Sequence, residues 1–382
     1  MSELFYRTSS LKMPVTRRVP GKLFVSGEYA ILGADQHAIL VAVNQYLACQ
    51  ITPSESTFQL KSQALQQSEL QLESLDDIKH IQTQDFQEWR YILQALRISQ
   101  QILAELNIPL QTFALTIQSE LNNDQGLKYG LGSSGAVTVA TLESVLAFHG
   151  VHWSEPATLF KLAVITLMQL GSNGSFADIA TNVLGGWVYY HNFDRSSIQT
   201  QLDKQIPLLE MLEEDWPGLR LETLRAPDDL HLAIGWTQAP ASTDNLVALL
   251  HQHTKGNAHA YEQFTREVHQ LVHQLYQAFE EGNTQQILQI IRQNRQALQN
   301  LGDAYNLPIE TNDLVALIEI AEAHGYASKS SGAGGGDCGI ALSNQNKQPL
   351  NSLVDAWQAA NIQHLPLSPA PERYEERNYY DR

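Results

Sequence analysis

The stretch Tyr129-Gly130-Leu131-Gly132-Ser133-Ser134-Gly135-Ala136-Val137 decides how this chain is read. It is a turn dense in glycine and serine that runs straight into an apolar, helix-like segment ending near His149. Glycine admits backbone conformations closed to other residues and lets a ligand approach the main chain. The helix that follows aims free N–H groups and the positive end of its dipole at an anion. The turn therefore reads as a phosphate cradle, with two hydroxyls available for a phosphate contact and a magnesium ligand. It is neither a Walker A loop, which needs Lys-Ser or Lys-Thr after the last glycine, nor a G-x-G-x-x-G fingerprint. Taken alone, it reads equally well as a structural turn with a serine N-cap.

Two distant segments add to it. In Pro20-Gly21-Lys22-Leu23-Phe24-Val25-Ser26-Gly27-Glu28-Tyr29-Ala30-Ile31-Leu32, an alternating strand carries Lys22 near its start and breaks at Gly27. In Lys329-Ser330-Ser331-Gly332-Ala333-Gly334-Gly335-Gly336-Asp337-Cys338-Gly339-Ile340-Ala341-Leu342, a hydroxyl-bearing glycine loop enters a short apolar strand.

These three segments, in this order, resemble the three motifs of the GHMP kinase superfamily, which includes galactokinase, homoserine kinase and mevalonate kinase. Within it, their wording is most similar to the bacterial phosphomevalonate kinases. The resemblance runs from about Pro20 to Leu342 and so covers a whole enzyme. It implies an α+β fold of two domains, an N-terminal ribosomal-protein-S5-like domain and a C-terminal ferredoxin-like α/β sandwich, with the active site in the cleft between them. It also implies a phosphotransferase with a phosphate group as acceptor. Such an enzyme uses ATP to convert (R)-5-phosphomevalonate to (R)-5-diphosphomevalonate in the mevalonate pathway of isoprenoid biosynthesis. A mevalonate kinase or a diphosphomevalonate decarboxylase would share the fold, but the Lys128-Tyr129-Gly130 lead-in and Lys329-Ser330-Ser331 argue against both. A non-catalytic binding relative is disfavoured because Lys22, Ser134 and Asp178 are all present.

Asp178 sits in the small, largely apolar stretch Gly171-Ser172-Asn173-Gly174-Ser175-Phe176-Ala177-Asp178-Ile179-Ala180. A carboxylate there is costly to bury unless it is paired or used. On composition alone it reads as a helix N-terminal carboxylate. By resemblance it matches the family's catalytic aspartate, and Lys22 matches the lysine paired with it. The nucleotide contacts then fall to Lys128, Gly130, Leu131, Gly132, Ser133, Ser134, Gly135 and Ala136, with Ser134 as the Mg²⁺ ligand. Many relatives add a glutamate from the helix before the aspartate loop, but here that helix ends Thr166-Leu167-Met168-Gln169, without an acid. Glu28 and Glu143 are assigned structural roles. The acceptor side is assigned to Tyr29, Ser172, Asn173, Ser175, Ser242, Thr243, Lys329, Ser331, Gly332, Ala333 and Gly334. Asp337 is read as a cap or anchor of the third motif, outside the catalytic set.

Bulk properties agree with a soluble, cytoplasmic enzyme acting on small molecules. The 382 residues suffice for two domains, and 43% hydrophobic with 17% charged residues is an ordinary globular balance. No apolar run reaches the roughly 18 residues of a membrane span, and the first residues lack a signal-peptide core. Cys49 and Cys338 occupy apolar contexts that suit a reducing compartment, and each reads as packing. A net charge of −17 argues against nucleic acid and anionic lipid as partners, and no obligate protein partner is expected. The scarce basic residues gather where anions would bind: Lys12, Arg17, Arg18 and Lys22 near the start, Lys128 before the turn, Lys329 opening the third motif. Of these, Arg17 and Arg18 read as solvated strand-edge charge.

Alternation predicts strands over Val19–Leu32 and His37–Thr52, and more weakly over Phe58–Leu72. Spacings of three and four predict a helix from Phe86 to Leu106, with further helices over Gly135–Phe148 and Pro156–Leu170. A strand is expected from Leu184 to His191. The proline-containing, charged break Arg225-Ala226-Pro227-Asp228-Asp229 marks a boundary, giving domains 1–228 and 229–382. Beyond it come a strand over Leu230–Trp236, helices over Asn257–Glu281, Thr284–Leu301 and Thr311–His324, and a last helix over Leu350–Ala360. The segment after Pro366 is expected to be a poorly packed end.

Overall fold

The computed structural model describes residues 3–8, 13–63, 65, 68–78, 86–123, 125–256, 258–344 and 349–374. Lys12 and the first residue of the helix expected over Asn257–Glu281 lie outside the described residues. The chain begins with β1 (Phe5–Arg7), β2 (Val15–Ser26) and β3 (His37–Pro53). β2 stops at Ser26, because Gly27 takes a φ of 105° and the chain turns into a short 3-10 segment over Ala30–Leu32. β3 has two halves. Its apolar run from His37 to Val43 is buried without interruption, whereas burial from Asn44 onward is broken by exposed positions. That is the pattern of a strand covered first on both faces and then on one.

The expected strand over Phe58–Leu72 is instead a hairpin of β4 (Phe58–Ser62) and β5 (Glu69–Leu72). Helix α1 (Arg90–Glu105) starts at Arg90 rather than Phe86, and β6 (Phe113–Ser119) adds a strand to those read from the sequence. There follow α2 (Ser133–Phe148), β7 (Val151–Trp153), α3 (Pro156–Gln169), α4 (Ala177–Leu184), β8 (Trp187–His191), α5 (Arg195–Asp203), α6 (Leu208–Glu213) and β9 (Arg220–Leu224). The seven-stranded sheet has the order β5-β4-β6-β3-β8-β9, with β2 laid antiparallel against β3. α2 is buried nearly all round, packed between β2 and β3 and the neighbouring α1, α3 and α4. An apolar helix without a polar face belongs at such a central position.

The second sheet begins with β10 (Leu230–Trp236). Four helices follow: α7 (Thr243–Thr254), α8 (His259–Glu280), α9 (Thr284–Tyr305) and α10 (Asn312–Ala323). Then come β11 (Ala327–Ser330), β12 (Cys338–Asn344), α11 (Leu350–Ala359) and β13 (Gln363–Leu365), and the sheet order is β11-β12-β10-β13. The result is an α+β architecture with helices packed on two larger sheets. α8 and α9 are long amphipathic partners joined at Asn283, whose side chain caps α9 by accepting from the Gln286 N–H at 3.1 Å. α8 also packs on β3, and α9 on β11 and β12, so one hydrophobic core runs through both sheets. A smaller core, including Leu317, Tyr326 and Trp357, lies under α10 and α11.

Of the segment after Pro366, residues 375–382 lie outside the described residues, and residues 367–374 correct the expectation of a poorly packed end. Pro369 bridges Val43, the Ala370 N–H donates to the Ala42 carbonyl at 2.8 Å, and Glu372 bridges Gly185. Arg373 pairs with the fully buried Glu143 and donates to the Asn182 carbonyl at 2.9 Å. These residues form a strap across the first sheet and α4. Among the described residues, no helix is long and apolar enough to cross a membrane.

Candidate active site

The glycine turn enters α2 with its N-cap at Gly132 rather than at a serine. Gly130 and Gly132 hold φ values of 81° and 80°, which L residues with a Cβ rarely adopt. Three charged side chains fill the space that side chains on these glycines would need. A Cβ on Gly130 would lie 2.5 Å from Oδ2 of Asp337, one on Gly132 3.0 Å from Cε of Lys22, and one on Gly135 2.7 Å from Oδ2 of Asp178. The turn is thus a main-chain cradle with a lysine and two carboxylates pressed against it.

Lys22 is carried by β2, whose backbone joins the turn directly: the Lys22 N–H donates to the Leu131 carbonyl at 3.0 Å. Its Nζ donates to the Gly130 carbonyl at 3.3 Å and lies 5.6 Å from the centroid of the Phe24 ring. Asp178 lies in the first turn of α4, as its sequence context suggests, and also faces the cradle. Burial pushes its carboxyl above the usual range, while Lys22 and the N–H groups at the helix start pull it down. Lys22 and Asp178 interact through space without a direct ion pair. Further along the same helix, Asn182 donates to the Pro20 carbonyl at 2.7 Å, which ties α4 to the start of the first motif.

The third motif closes over the first. Tyr29 donates its hydroxyl proton to the Ala333 carbonyl, and Ser331 donates to the Phe24 carbonyl at 3.0 Å. Lys329 corrects its expectation: its side chain is 0% exposed, paired with Glu28, and donates to the Ser330 carbonyl at 2.7 Å. A lysine so enclosed serves as a structural bridge between two motifs and has no free face for a phosphate. Asp337 anchors loop 237–241, accepting from the Ala241 N–H at 3.2 Å, while its carbonyl accepts from the Thr237 N–H at 2.9 Å. Burial raises its pKa against the opposing pull of Lys22 and Lys128.

A cavity of about 920 Å³ adjoins this constellation. Of the acceptor-side residues, Tyr29, Ser172, Asn173, Ser175, Thr243, Gly332 and Ala333 line it. Ser242 instead caps α7 by accepting from the Asn245 N–H, and Gly334 packs over the Ile309 backbone, so neither contributes to this wall. The wall does not include Lys22, Ser134 or Asp178, but it is formed in part by the loop leading into Asp178. Lys128 is exposed beside the turn. Arg90 and Arg195 also line the cavity, and the sequence reading missed both. The available signal was weak: a basic residue just after a strand in Asn192-Phe193-Asp194-Arg195.

Glu28 and Glu143 are both engaged in ion pairs, Glu28 with Lys329 and Glu143 with Arg17 and Arg373, which removes them from metal binding. Among the described residues no cluster of three or more His, Cys, Asp or Glu suits a metal. Ser134, which precedes Gly135 in the first turn of α2, and the Asp178 carboxylate, which lies against Gly135, remain as hard oxygen donors. That sparse set fits Mg²⁺, which keeps several waters and shares substrate phosphates.

The chain and its fold are similar to known proteins. Residues 90–186 match the family model for the GHMP kinases N terminal domain, and residues 275–363 match that for GHMP kinases C terminal. A phosphomevalonate kinase of Streptomyces sp. (strain CL190) is 35% identical over 372 residues, covering 94% of this chain and 98% of its own. The Streptococcus pneumoniae phosphomevalonate kinase, solved in complex with phosphomevalonate and AMPPNP, superimposes with a TM-score of 0.81 at 28% identity. That match covers 93% of this chain and 99% of the other. A Listeria innocua protein superimposes with a TM-score of 0.87 at 32% identity, over 94% of this chain and 99% of its own.

Proposed function

Because this chain belongs to the GHMP kinase family, we propose that it transfers the γ-phosphoryl group of ATP to the phosphate of (R)-5-phosphomevalonate, giving (R)-5-diphosphomevalonate and ADP. The observation that carries this reading is the convergence of Lys22 and Asp178 on the Gly130–Gly135 turn, beside a cavity sized for a small oxygen-rich acceptor.

Phosphoryl transfer spreads charge over the γ-phosphoryl oxygens and asks chiefly for alignment and cationic stabilisation. The amides of the turn and the start of α2 hold the donor phosphates, and Lys22 neutralises charge as it develops. Mg²⁺, held by Ser134 with the Asp178 carboxylate close by, would add a counter-charge across the donor phosphates. The acceptor's phosphate has a second pKa near 6 and is largely dianionic at neutral pH, so it needs little help losing a proton. Asp178 then acts mainly by orienting Lys22 and the acceptor.

The test is ADP release with Mg·ATP, offering 5-phosphomevalonate and mevalonate separately and identifying products by mass. Transfer to 5-phosphomevalonate alone supports the proposal, and transfer to mevalonate would move the chain to the sister kinase. Asp178→Asn should lower kcat on the order of 100-fold or more while leaving the KM for ATP nearly unchanged. Unchanged turnover would remove Asp178 from the mechanism.

A further inference from the structure

Neither of the two arginines in the cavity wall forms an ion pair among the described residues. Arg195 is half-buried, donates to the Asn173 carbonyl at 3.3 Å and to the Gly174 carbonyl, and stacks 4.7 Å over the Phe176 ring. Arg90 donates to the Tyr91 hydroxyl at 2.9 Å and lies 4.7 Å from the centroid of the same ring. Among the described residues, the single carboxylate in the wall is Glu28, already engaged by Lys329. In a chain with 41 acidic and 24 basic residues, two guanidiniums facing one cavity with no free acid opposite among the described residues are an exception to the charge balance. A guanidinium has five donors, and those of Arg195 exceed what the two loop carbonyls use. The remainder suits a planar, multidentate hold on an oxyanion.

We propose that Arg90 and Arg195 clamp the two anionic ends of the acceptor, Arg195 taking the phosphate that is extended and Arg90 the carboxylate. This rests on the phosphomevalonate reading above. Arg195 is given the reacting end because it grips the loop that leads into Asp178. In addition, Tyr190, whose hydroxyl donates to the Ser175 carbonyl at 2.9 Å, lies within electrostatic reach of both Arg195 and Asp178. Two phosphates must approach one another for transfer, and a cation on the acceptor side reduces their repulsion.

The experiment is calorimetric titration of 5-phosphomevalonate into wild type, Arg195→Gln, Arg195→Lys and Arg90→Gln, with mevalonate, which lacks the phosphate, as the second probe. Thermal melting of each variant confirms that it is folded, and the KM for ATP is followed in parallel. Arg195→Gln should weaken 5-phosphomevalonate binding roughly ten- to hundredfold, leave mevalonate binding and the KM for ATP within about twofold, and be only partly rescued by Arg195→Lys. Arg90→Gln should weaken both probes by roughly tenfold, because both carry the carboxylate. Equal weakening of both probes by Arg195→Gln would make Arg195 a loop brace and overturn the clamp, as would unchanged binding in either glutamine variant. Wild type that binds mevalonate but not 5-phosphomevalonate would overturn the acceptor reading itself, a result visible before any variant is made.

Discussion

Replacing Lys329 by methionine separates a structural bridge from a phosphate ligand. The side chains of Lys329 and Glu28 are 0% and 1% exposed, and they join positions 301 residues apart in the chain. Among the described residues, Oε1 of Glu28 has only this lysine, and Oε2 has no hydrogen-bond partner. Lys329→Met therefore leaves a carboxylate in the interior without compensation, which costs about 3–5 kcal/mol, whereas a neutral replacement of the whole pair is often close to harmless. At roughly 2–4 °C per kcal/mol, the single variant should melt on the order of 10 °C below wild type. Lys329→Met with Glu28→Gln should recover most of that loss, giving a coupling of about 2 kcal/mol or more. The assay is urea or thermal unfolding of the four proteins of the cycle, read by tryptophan fluorescence. If Lys329→Met melted within about 2 °C of wild type and instead raised the KM for either substrate, the bridge would be refuted and the lysine returned to a ligand role.

Other expectations follow from equally local geometry. Gly135→Ala should lose roughly 100-fold or more in kcat, because the new Cβ would press on Oδ2 of Asp178 and on Oδ1 of the buried Asn182, while alanine's helix preference offsets part of the cost in melting temperature. Turnover close to wild type would show that Asp178 can shift without consequence. His37 is buried, donates through Nε2 to the His269 carbonyl at 2.8 Å, accepts from the Tyr189 hydroxyl at 2.8 Å, and has its pKa lowered by burial to about 4. Its folded-state pKa lies below the unfolded value near 6.5, so the neutral ring's contribution is complete above that pH and lost as pH falls toward 4. Unfolding experiments at pH 7.5 and 4.5 should show a loss of up to about 3 kcal/mol from this site, reduced in His37→Gln; equal pH dependence in the two proteins would exclude it. Arg373→Ala should cost about 2–3 kcal/mol in denaturant unfolding and also lower kcat, since it weakens the support of Glu143 and of the α4 carbonyls; a change in neither would deny the strap any role.

The three glycine motifs were legible because each carries its chemistry in local wording, and the structure brings the three together. β3 was legible as a strand but not in its two halves: it was read as alternating throughout, whereas His37–Val43 is buried without interruption, because a strand covered on both faces loses its alternation. Lys329 was misread because adjacency to a glycine loop does not say which face of a strand a side chain takes, and its partner comes from the far end of the chain. Arg90 and Arg195 were invisible for a related reason: each lies in ordinary surroundings, and only tertiary folding sets them on one cavity wall. The strap at Pro369–Arg373 escaped notice because its composition is that of a loose end, while its binding partner, Glu143, hides inside an apolar helix.

The strap also has a bearing on the order in which the molecule can be assembled. Pro369 to Arg373 are synthesised after every residue they touch, including the helix that carries Asp178. The first sheet and its helices can collapse while the chain is still emerging from the ribosome, as domains generally do. Until the strap arrives, however, the buried Glu143 lacks its ion pair with Arg373, and the carbonyls of Asn182 and Val183 lack their arginine donor. The last of the contacts on the helix that carries Asp178 are therefore made by residues translated after the whole of the sheet and helices they brace.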